Sequence, residues 1–361
     1  MARPDRIRLV VLFGGRSAEH EVSCISALHV LQAVDPARYD VAPIGITREG
    51  RWVESGATVA ALSSTAHALP SPDDGDGPEL DPLPAISPAA VDAATEIVVL
   101  PLLHGPMGED GTVQGLLELA GIPYVGAGVL ASALCMDKAA AKDVLAAHDL
   151  PQGRWLTARE PAIDDAFGDR VESELGFPVF VKPSNLGSSV GVTKAHDRVE
   201  LRAALDEALR YDEYVLVEEA IVGREIEVAV LGNAEPRASL PGEIVPSHDF
   251  YDFEDKYLDG TAGLRVPAPL DDVEVAEVQA LALRAYAALR VDGMARADFF
   301  YEEGGRGFLI NELNTIPGFT PISMYPKLWE ASGLPYADLI DELIRLAIDR
   351  RNRRARFETK R

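Results

Sequence analysis

The chain is poor in cysteine, with 2 in 361 residues. Cys24 and Cys135 both sit in apolar stretches and read as reduced, buried and structural, which excludes a disulfide-stapled secreted scaffold. Long apolar runs are missing too. The run Ile7–Phe13 is too short for a signal peptide. Nothing approaches the roughly 18–20 apolar residues of a membrane span. A cytoplasmic protein is therefore expected. Positive charge is scarce: 34 Lys and Arg stand against 58 Asp and Glu, a net charge of −24. A nucleic-acid-binding surface is not expected on such a chain. A nucleotide is not excluded, because it needs a few local cations and a metal rather than a basic protein. Two nucleotide signatures are also absent. The loop after the first apolar run reads Gly14-Gly-Arg-Ser-Ala-Glu19, not the G-x-G-x-x-G of a dinucleotide-dependent oxidoreductase. No Walker Gly-Lys-Ser/Thr occurs, and no internal repeat is visible.

What the chain does have is core. Hydrophobic residues make up 47% of it, enough for two or three domains of roughly 100–200 residues. Ile7–Phe13 predicts a buried strand. A helix from Ser17, its N-cap, to Val34 follows, with Val22, Ile25, Leu28 and Leu31 on one face, and then strand Val41–Ile46. This opening β–α–β predicts an α/β fold with a parallel sheet. Residues 54–92 are rich in Pro, Gly, Asp and Ser and read as an inserted, mobile surface segment. Strand Glu96–Pro101 and helix Thr112–Leu119 come next. An alanine-rich helix at Met136–Ala147, broken by Pro151, opens a smaller domain. That domain has strands Val179–Lys182, Val190–Thr193 and Tyr214–Glu218 and helix Val199–Leu209. A third region holds strands Arg224–Leu231, Ala297–Tyr301 and Gly307–Asn311, helix Val273–Leu289 and helix Tyr336–Asp349. The expected division is 1–133, with 54–92 as its variable insertion, then 134–218 and 219–350. The basic tail 351–361 reads as a frayed, solvated helix end.

Two stretches carry polar groups in an alternating, strand-like pattern: Arg296-Ala-Asp298 and Asn311-Glu312-Leu-Asn314. Residues two apart share a strand face, so Arg296 goes with Asp298 and Glu312 with Asn314. If the strands are neighbours, four polar groups converge. Charged groups on such a face are costly unless paired or bound to metal. Hard oxygen ligands suit magnesium, which takes one or two carboxylates plus nucleotide phosphates. The alternative is a structural Arg–Asp pair on a solvated face. The turn at 315–320 follows, where Gly318 lets backbone amides approach an oxyanion. In the stretch from Lys182 to Gly191 a lysine ends a strand and small residues form the loop, a combination suited to a polyphosphate. A plain β-hairpin is the alternative. Gly187-Ser-Ser-Val-Gly191 also fits G-x-S-x-G with Ser189 as nucleophile. The strand–turn–helix context and a partner histidine are both missing, so serine hydrolysis is disfavoured.

Six ordered stretches then coincide: Gly14–Ser23; His104-Gly105 with Gly108–Gly111; Met136–Lys138; Val181–Gly191; Phe250–Tyr257; and Asn311–Thr320. Over nearly its whole length the chain resembles the bacterial D-alanine–D-alanine ligases of the ATP-grasp superfamily. The resemblance implies a Rossmann-like first domain, a small central lid domain and a C-terminal sheet domain. It implies ATP-dependent joining of two D-alanines through an acyl phosphate, for peptidoglycan, in a homodimer. By the same resemblance, Lys138 and Lys182 hold ATP phosphates, Lys256 binds ATP from a loop that closes the site, and Ser188 and Ser189 belong to the lid. Glu218, Glu219 and Ile221 meet adenine, and Glu225 takes the ribose hydroxyls. Asp298, Glu312 and Asn314 bind magnesium, two ions, with manganese able to substitute. Arg296 and Gly318 steady the reacting groups, and Glu19 anchors the first ammonium. His104 lies near the first carboxylate, while Ser323 and Met324 receive the second. Tyr257 closes the site and favours a dipeptide product. For Glu19, His104, Ser323 and Tyr257 bland readings stand beside these: a helix-dipole carboxylate, a structural histidine, a plain cap and an exposed loop tyrosine. The segment 54–92 and the basic tail depart from the shorter members of the family.

Overall fold

The computed structural model describes residues 6–54, 69, 71–74, 77–86, 95–187, 189–245 and 263–358. Ser188, Lys256 and Tyr257 lie outside them. The first sheet has the order β4-β3-β2-β1-β5, from β1 Ile7–Gly14, β2 Tyr39–Ile46, β3 Trp52–Glu54, β4 Glu79–Leu80 and β5 Glu96–Pro101. Strand β1 runs parallel to both β2 and β5, and α1 (His20–Ala33) makes the first crossover, as the opening β–α–β predicts. Period-2 alternation splits β1 between two cores. Leu9, Val11 and Phe13 join α1 and the C-terminal helices, while Val10 and Leu12 pack on the other face. Helix α1 begins at His20, not at Ser17. The Ser17 hydroxyl instead accepts from the Glu19 amide at 3.2 Å, shaping the turn before the helix.

The segment 54–92 is not wholly surface. Strand β4 pairs with β3. Helix α2 (Pro82–Ile86) seats a fully buried Ile86, and Leu69 is 3% exposed. Three isolated apolar residues in a proline-rich stretch leave no periodicity to read, yet Leu69, Leu80 and Ile86 tie it to the first domain. Helices α3 (Thr112–Ala120), α4 (Val129–Met136) and α5 (Lys138–Ala147) lead out of that domain.

The second sheet, order β6-β9-β7-β8, is antiparallel and comprises β6 Trp155–Arg159, β7 Val179–Pro183, β8 Thr193–Ala195 and β9 Tyr214–Glu219. Helices α6 (Asp165–Arg170) and α7 (Arg198–Ala208) cover it. The predicted strand at Val190–Thr193 is a turn until Thr193, because Ser189 and Gly191 have φ of +59° and +71°. Ser189 thus stands in a loop between antiparallel strands, which is not the setting of a hydrolase nucleophile.

The third sheet runs β13-β12-β10-β14-β15, with β11 paired to β10. Its strands are β10 Arg224–Gly232, β11 Arg237–Ala238, β12 Gly242–Val245, β13 Gly263–Arg265, β14 Gly293–Glu302 and β15 Gly307–Asn314. Helix α8 (Asp272–Ala288), opened by an Asp271–Glu274 capping box, packs on its apolar face. Helices α9 (Met324–Ala331) and α10 (Tyr336–Arg354) pack between this sheet and the first.

The tail is helical at its start, and residues 355–358 beyond the helix are exposed. Helix α10 continues to Arg354, and Arg350 is 3% exposed. Its arginines find carbonyls and carboxylates far away in sequence, partners that a local charge count cannot reveal. Both cysteines are free and buried, as predicted, and burial pushes their thiols up to about 12.

Candidate active site

Strands β14 and β15 are antiparallel neighbours, with Arg296 opposite Asn314 and Asp298 opposite Glu312. The convergence predicted from alternation is present. Strand β10, on the other side of β14, places Glu227 opposite Asp298. Three carboxylates therefore stand in a row across three strands, with Arg296 beside them. The other face is apolar, carrying Ile226, Val228, Ala297, Phe299, Ile310 and Leu313. Ile310 and Leu313 are three apart, so a regular strand could not bury both. The register shifts between Asp298 and Phe299, leaving Asn311 as the extra residue of a bulge. That bulge lets Ile310 and Leu313 face the core while Glu312 and Asn314 share the opposite face, where Asn314 Oδ1 accepts from the Ile316 amide at 3.1 Å.

Arg296 donates from Nε and Nη2 to both Asp298 oxygens at 2.7 Å and lies 3.1 Å from Glu227. Burial works against its charge, but Asp298 and Glu227 outweigh burial and raise its pKa. The Arg–Asp pair of the alternative reading thus exists, buried rather than solvated. It does not exhaust Asp298, since a carboxylate offers about four lone pairs.

A cavity of about 590 Å³ opens between the second and third sheets. Pro178, Phe180, Ile221 and Phe300 give it apolar walls; Glu225, Asp298 and Glu312 line its polar side. Lys182 ends β7, and its ammonium meets Glu218 at 2.6 Å. Lys142, which sequence reasoning missed, meets the same carboxylate at 2.7 Å and is 3% exposed. Burial would raise the Glu218 pKa, but the two ammoniums hold it at about 2. Its side chain is thus engaged with lysines. The Glu219 carboxylate is engaged likewise with Arg154 and Arg306. Lys138 donates to the Leu186 carbonyl at 2.6 Å and lies 3.3 Å from Glu312. Asp137 caps α5 through the Ala140 amide and accepts from Ser184 Oγ at 2.6 Å, anchoring the glycine loop to the helix start.

Across the loop lies the first sheet's contribution. Gly15 donates to the Ile46 carbonyl at 2.7 Å, and a Cβ on Gly14 would stand 2.4 Å from that oxygen, so the chain turns tightly before Glu19. A Cβ on Gly187 would lie 3.8 Å from Glu19 Oε2 and 3.7 Å from Glu109 Oε1. Glu109 belongs to the stretch Gly108–Gly111. It is buried, and it accepts from the Gly105 amide at 2.7 Å. Burial, then the Glu19 charge, pushes its pKa up to about 8. A carboxyl raised from about 4.5 to about 8 binds more protons folded than unfolded in that window, so it costs stability as pH rises through it. Glu109→Gln should flatten that loss. Urea unfolding of nucleotide-free protein at pH 5.5 and 8.5 checks it, and an unchanged slope would refute it.

His104 is buried, and its Nδ1 lies 3.0 Å from the Ile316 carbonyl, joining the first sheet to the turn after β15. Its Nε2 is buried without a partner among the described residues. Ser323 occupies the N-cap position of α9 but makes no side-chain cap bond. Its hydroxyl turns back to the Thr320 amide at 3.1 Å, beside Gly318. Met324 starts α9 and is buried.

Family models described as D-ala D-ala ligase N-terminus and C-terminus match residues 8–127 and 144–345. The chain belongs to the D-alanine–D-alanine ligase family. A D-alanine–D-alanine ligase of Caldicellulosiruptor bescii is 49% identical, with 96% of each chain covered. One from Geobacillus thermodenitrificans is 46% identical over 96% of each. Among solved structures, the D-alanine-D-alanine ligase from Coxiella burnetii superposes with a TM-score of 0.83 at 38% identity, covering 97% of this chain and 98% of that one. A D-Ala:D-Ser ligase from Enterococcus faecalis gives 0.82 at 36%, covering 95% and 99%. The expected mixed α/β, ATP-grasp architecture is borne out. No helix among the described residues is long and apolar enough to cross a membrane.

Proposed function

We propose that the chain joins two D-alanines at the expense of ATP for peptidoglycan precursor synthesis, as a cytoplasmic homodimer. We divide it into a first domain at 1–133, a lid at 134–218, a catalytic domain at 219–350 and a tail. The observation that carries the activity is the opposition of Asp298 to Glu312 and of Arg296 to Asn314, beside a cavity lined also by Lys182 and the glycine loop.

The apolar walls accept a flat base, with Ile221 and the backbone beyond Glu218 at its edge and Glu225 toward the ribose. Lys138 and Lys182 meet the phosphates. Glu218, gripped by Lys142, keeps Lys182 charged and aimed. Asp298, Glu312 and Asn314 are hard oxygen donors suited to magnesium, with manganese as a substitute. Two carboxylates and one amide oxygen leave coordination positions that phosphate oxygens and water can fill. Bound there, magnesium would supply positive charge that offsets the negative charge developing on the phosphoryl oxygens during transfer.

One carboxylate oxygen of the first D-alanine, held through its ammonium by Glu19, attacks the terminal phosphorus, and ADP leaves. The carboxylate thereby gains a phosphate leaving group. The amine of the second D-alanine, deprotonated, attacks the carbonyl carbon, and phosphate departs from the tetrahedral intermediate. Arg296 and the Gly318 amide stabilise its charge. The His104 ring lies toward the first carboxylate, and Ser323 Oγ with the Met324 amide at the start of α9 receives the second. We assign Ser188, Ser189, Lys256 and Tyr257 to closure over the site, which keeps water from the acyl phosphate.

Purified protein with ATP and magnesium should release phosphate and form a dipeptide when D-alanine is added. Parallel reactions with D-alanine plus D-serine or D-lactate test the second substrate. No turnover with D-alanine, or a preference for either competitor near neutral pH, would sink the assignment.

A further inference from the structure

Arg350 lies near the end of the charged helix α10 yet is buried against main chain of the first domain. Its Nη2 donates to the Tyr124 carbonyl at 2.7 Å and its Nη1 to the Gly126 carbonyl. The guanidinium lies 4.2 Å from the Tyr124 ring centroid. Two neighbours also reach the first domain, Arg351 at Glu96 and Arg354 at Glu118, the latter at 2.6 Å, and Arg353 ties the helix end to Asp292, the residue before β14, at 2.7 Å. These residues lie beyond 345, where the family-model match ends.

The gripped segment is a joint. Tyr124 bridges to Val99 of β5, so it moves with the first sheet. A Cβ on Gly293, the first residue of β14, would stand 2.7 Å from the Gly126 oxygen. Thr315, directly after Asn314, has its carbonyl 3.8 Å from the Cβ position of Gly126. On the site side, His104 crosses the same boundary to Ile316. Buried carbonyls require donors, and the planar fork of arginine fixes two of them at a set angle where an ammonium would not.

We infer that Arg350 is a positioning residue for the D-alanine side of the reaction, holding the first sheet, with Glu19 and His104, in register with β14 and β15. This rests on the proposed ligase reading. The nucleotide cavity lies between the other two sheets and Arg350 does not line it, so the inference separates two readouts.

The test uses the full chain with Arg350→Met and Arg350→Lys. Misplacing reacting groups by a fraction of an ångström is costly, so Arg350→Met should raise the D-alanine KM about tenfold or more. ADP affinity with magnesium, measured by calorimetry, should stay within about twofold, and Arg350→Lys should recover part of the KM. If Arg350→Met does not fold, Arg350→Lys and the partly exposed Arg351→Gln, which frees Glu96 of β5, carry the test, each with a smaller KM rise at unchanged ADP affinity. A normal D-alanine KM with only a lower melting temperature overturns the inference, as does an equal loss of ADP affinity. Wild-type protein inactive on D-alanine would overturn the ligase reading instead.

Discussion

Glu312→Gln is expected to lower turnover by roughly 10²–10³-fold, the size of loss seen when a group stabilising developing charge is removed. The substitution is nearly isosteric and removes one negative charge from the row Glu227–Asp298–Glu312. The fold should survive. Glu312 is 32% exposed in its side chain and its partner Lys138 stands at 3.3 Å, a partly solvated pair worth about 1 kcal/mol or less. Half-maximal activity should also demand more magnesium, because a neutral amide oxygen is a weaker ligand than a carboxylate. Steady-state rates across a magnesium titration, with urea unfolding as control, read both effects. Near-normal turnover at ordinary magnesium would remove Glu312 from the metal site.

The row was legible in sequence only in part. Alternation at 296–298 and 312–314 placed four polar side chains on strand faces, and pairing of β14 with β15 brought them together. Glu227 was missed because strand order cannot be read from a single strand. The bulge at Asn311 was equally invisible: its only trace is the three-residue spacing of Ile310 and Leu313. Lys142 looks like any lysine on an alanine-rich helix. Only the fold shows that α5 turns it inward, onto the carboxylate of Glu218 on β9. The anchoring of the segment 54–92 and of the helix end before the basic tail was not legible for one reason, since in both the stabilising partners are long-range. Leu69 packs near α1, where its amide donates to the Cys24 carbonyl, and Arg350 packs on Tyr124. The opening β–α–β was read correctly because periodicity is local information.

Arg296 offers the sharpest separation of charge from geometry. Its guanidinium stands between Glu227 and Asp298, which are 7% and 13% exposed in their side chains. Arg296→Met would leave two opposed carboxylates without their cation, a change that costs about 3–5 kcal/mol in buried pairs. Activity would be lost with it, so that variant alone cannot distinguish scaffold from catalysis. Arg296→Lys can. An ammonium keeps the positive charge between the carboxylates, and most of the stability should remain. It cannot hold both Asp298 oxygens at 2.7 Å while presenting a further N–H to a phosphoryl or tetrahedral oxygen. Turnover should therefore fall roughly 10²–10³-fold in the lysine variant, far out of proportion to its shift in the urea midpoint. If Arg296→Lys turns over near the wild-type rate, Arg296 serves only to balance Glu227 and Asp298, and the charge of the intermediate must be met elsewhere, with the Gly318 amide the next group to test.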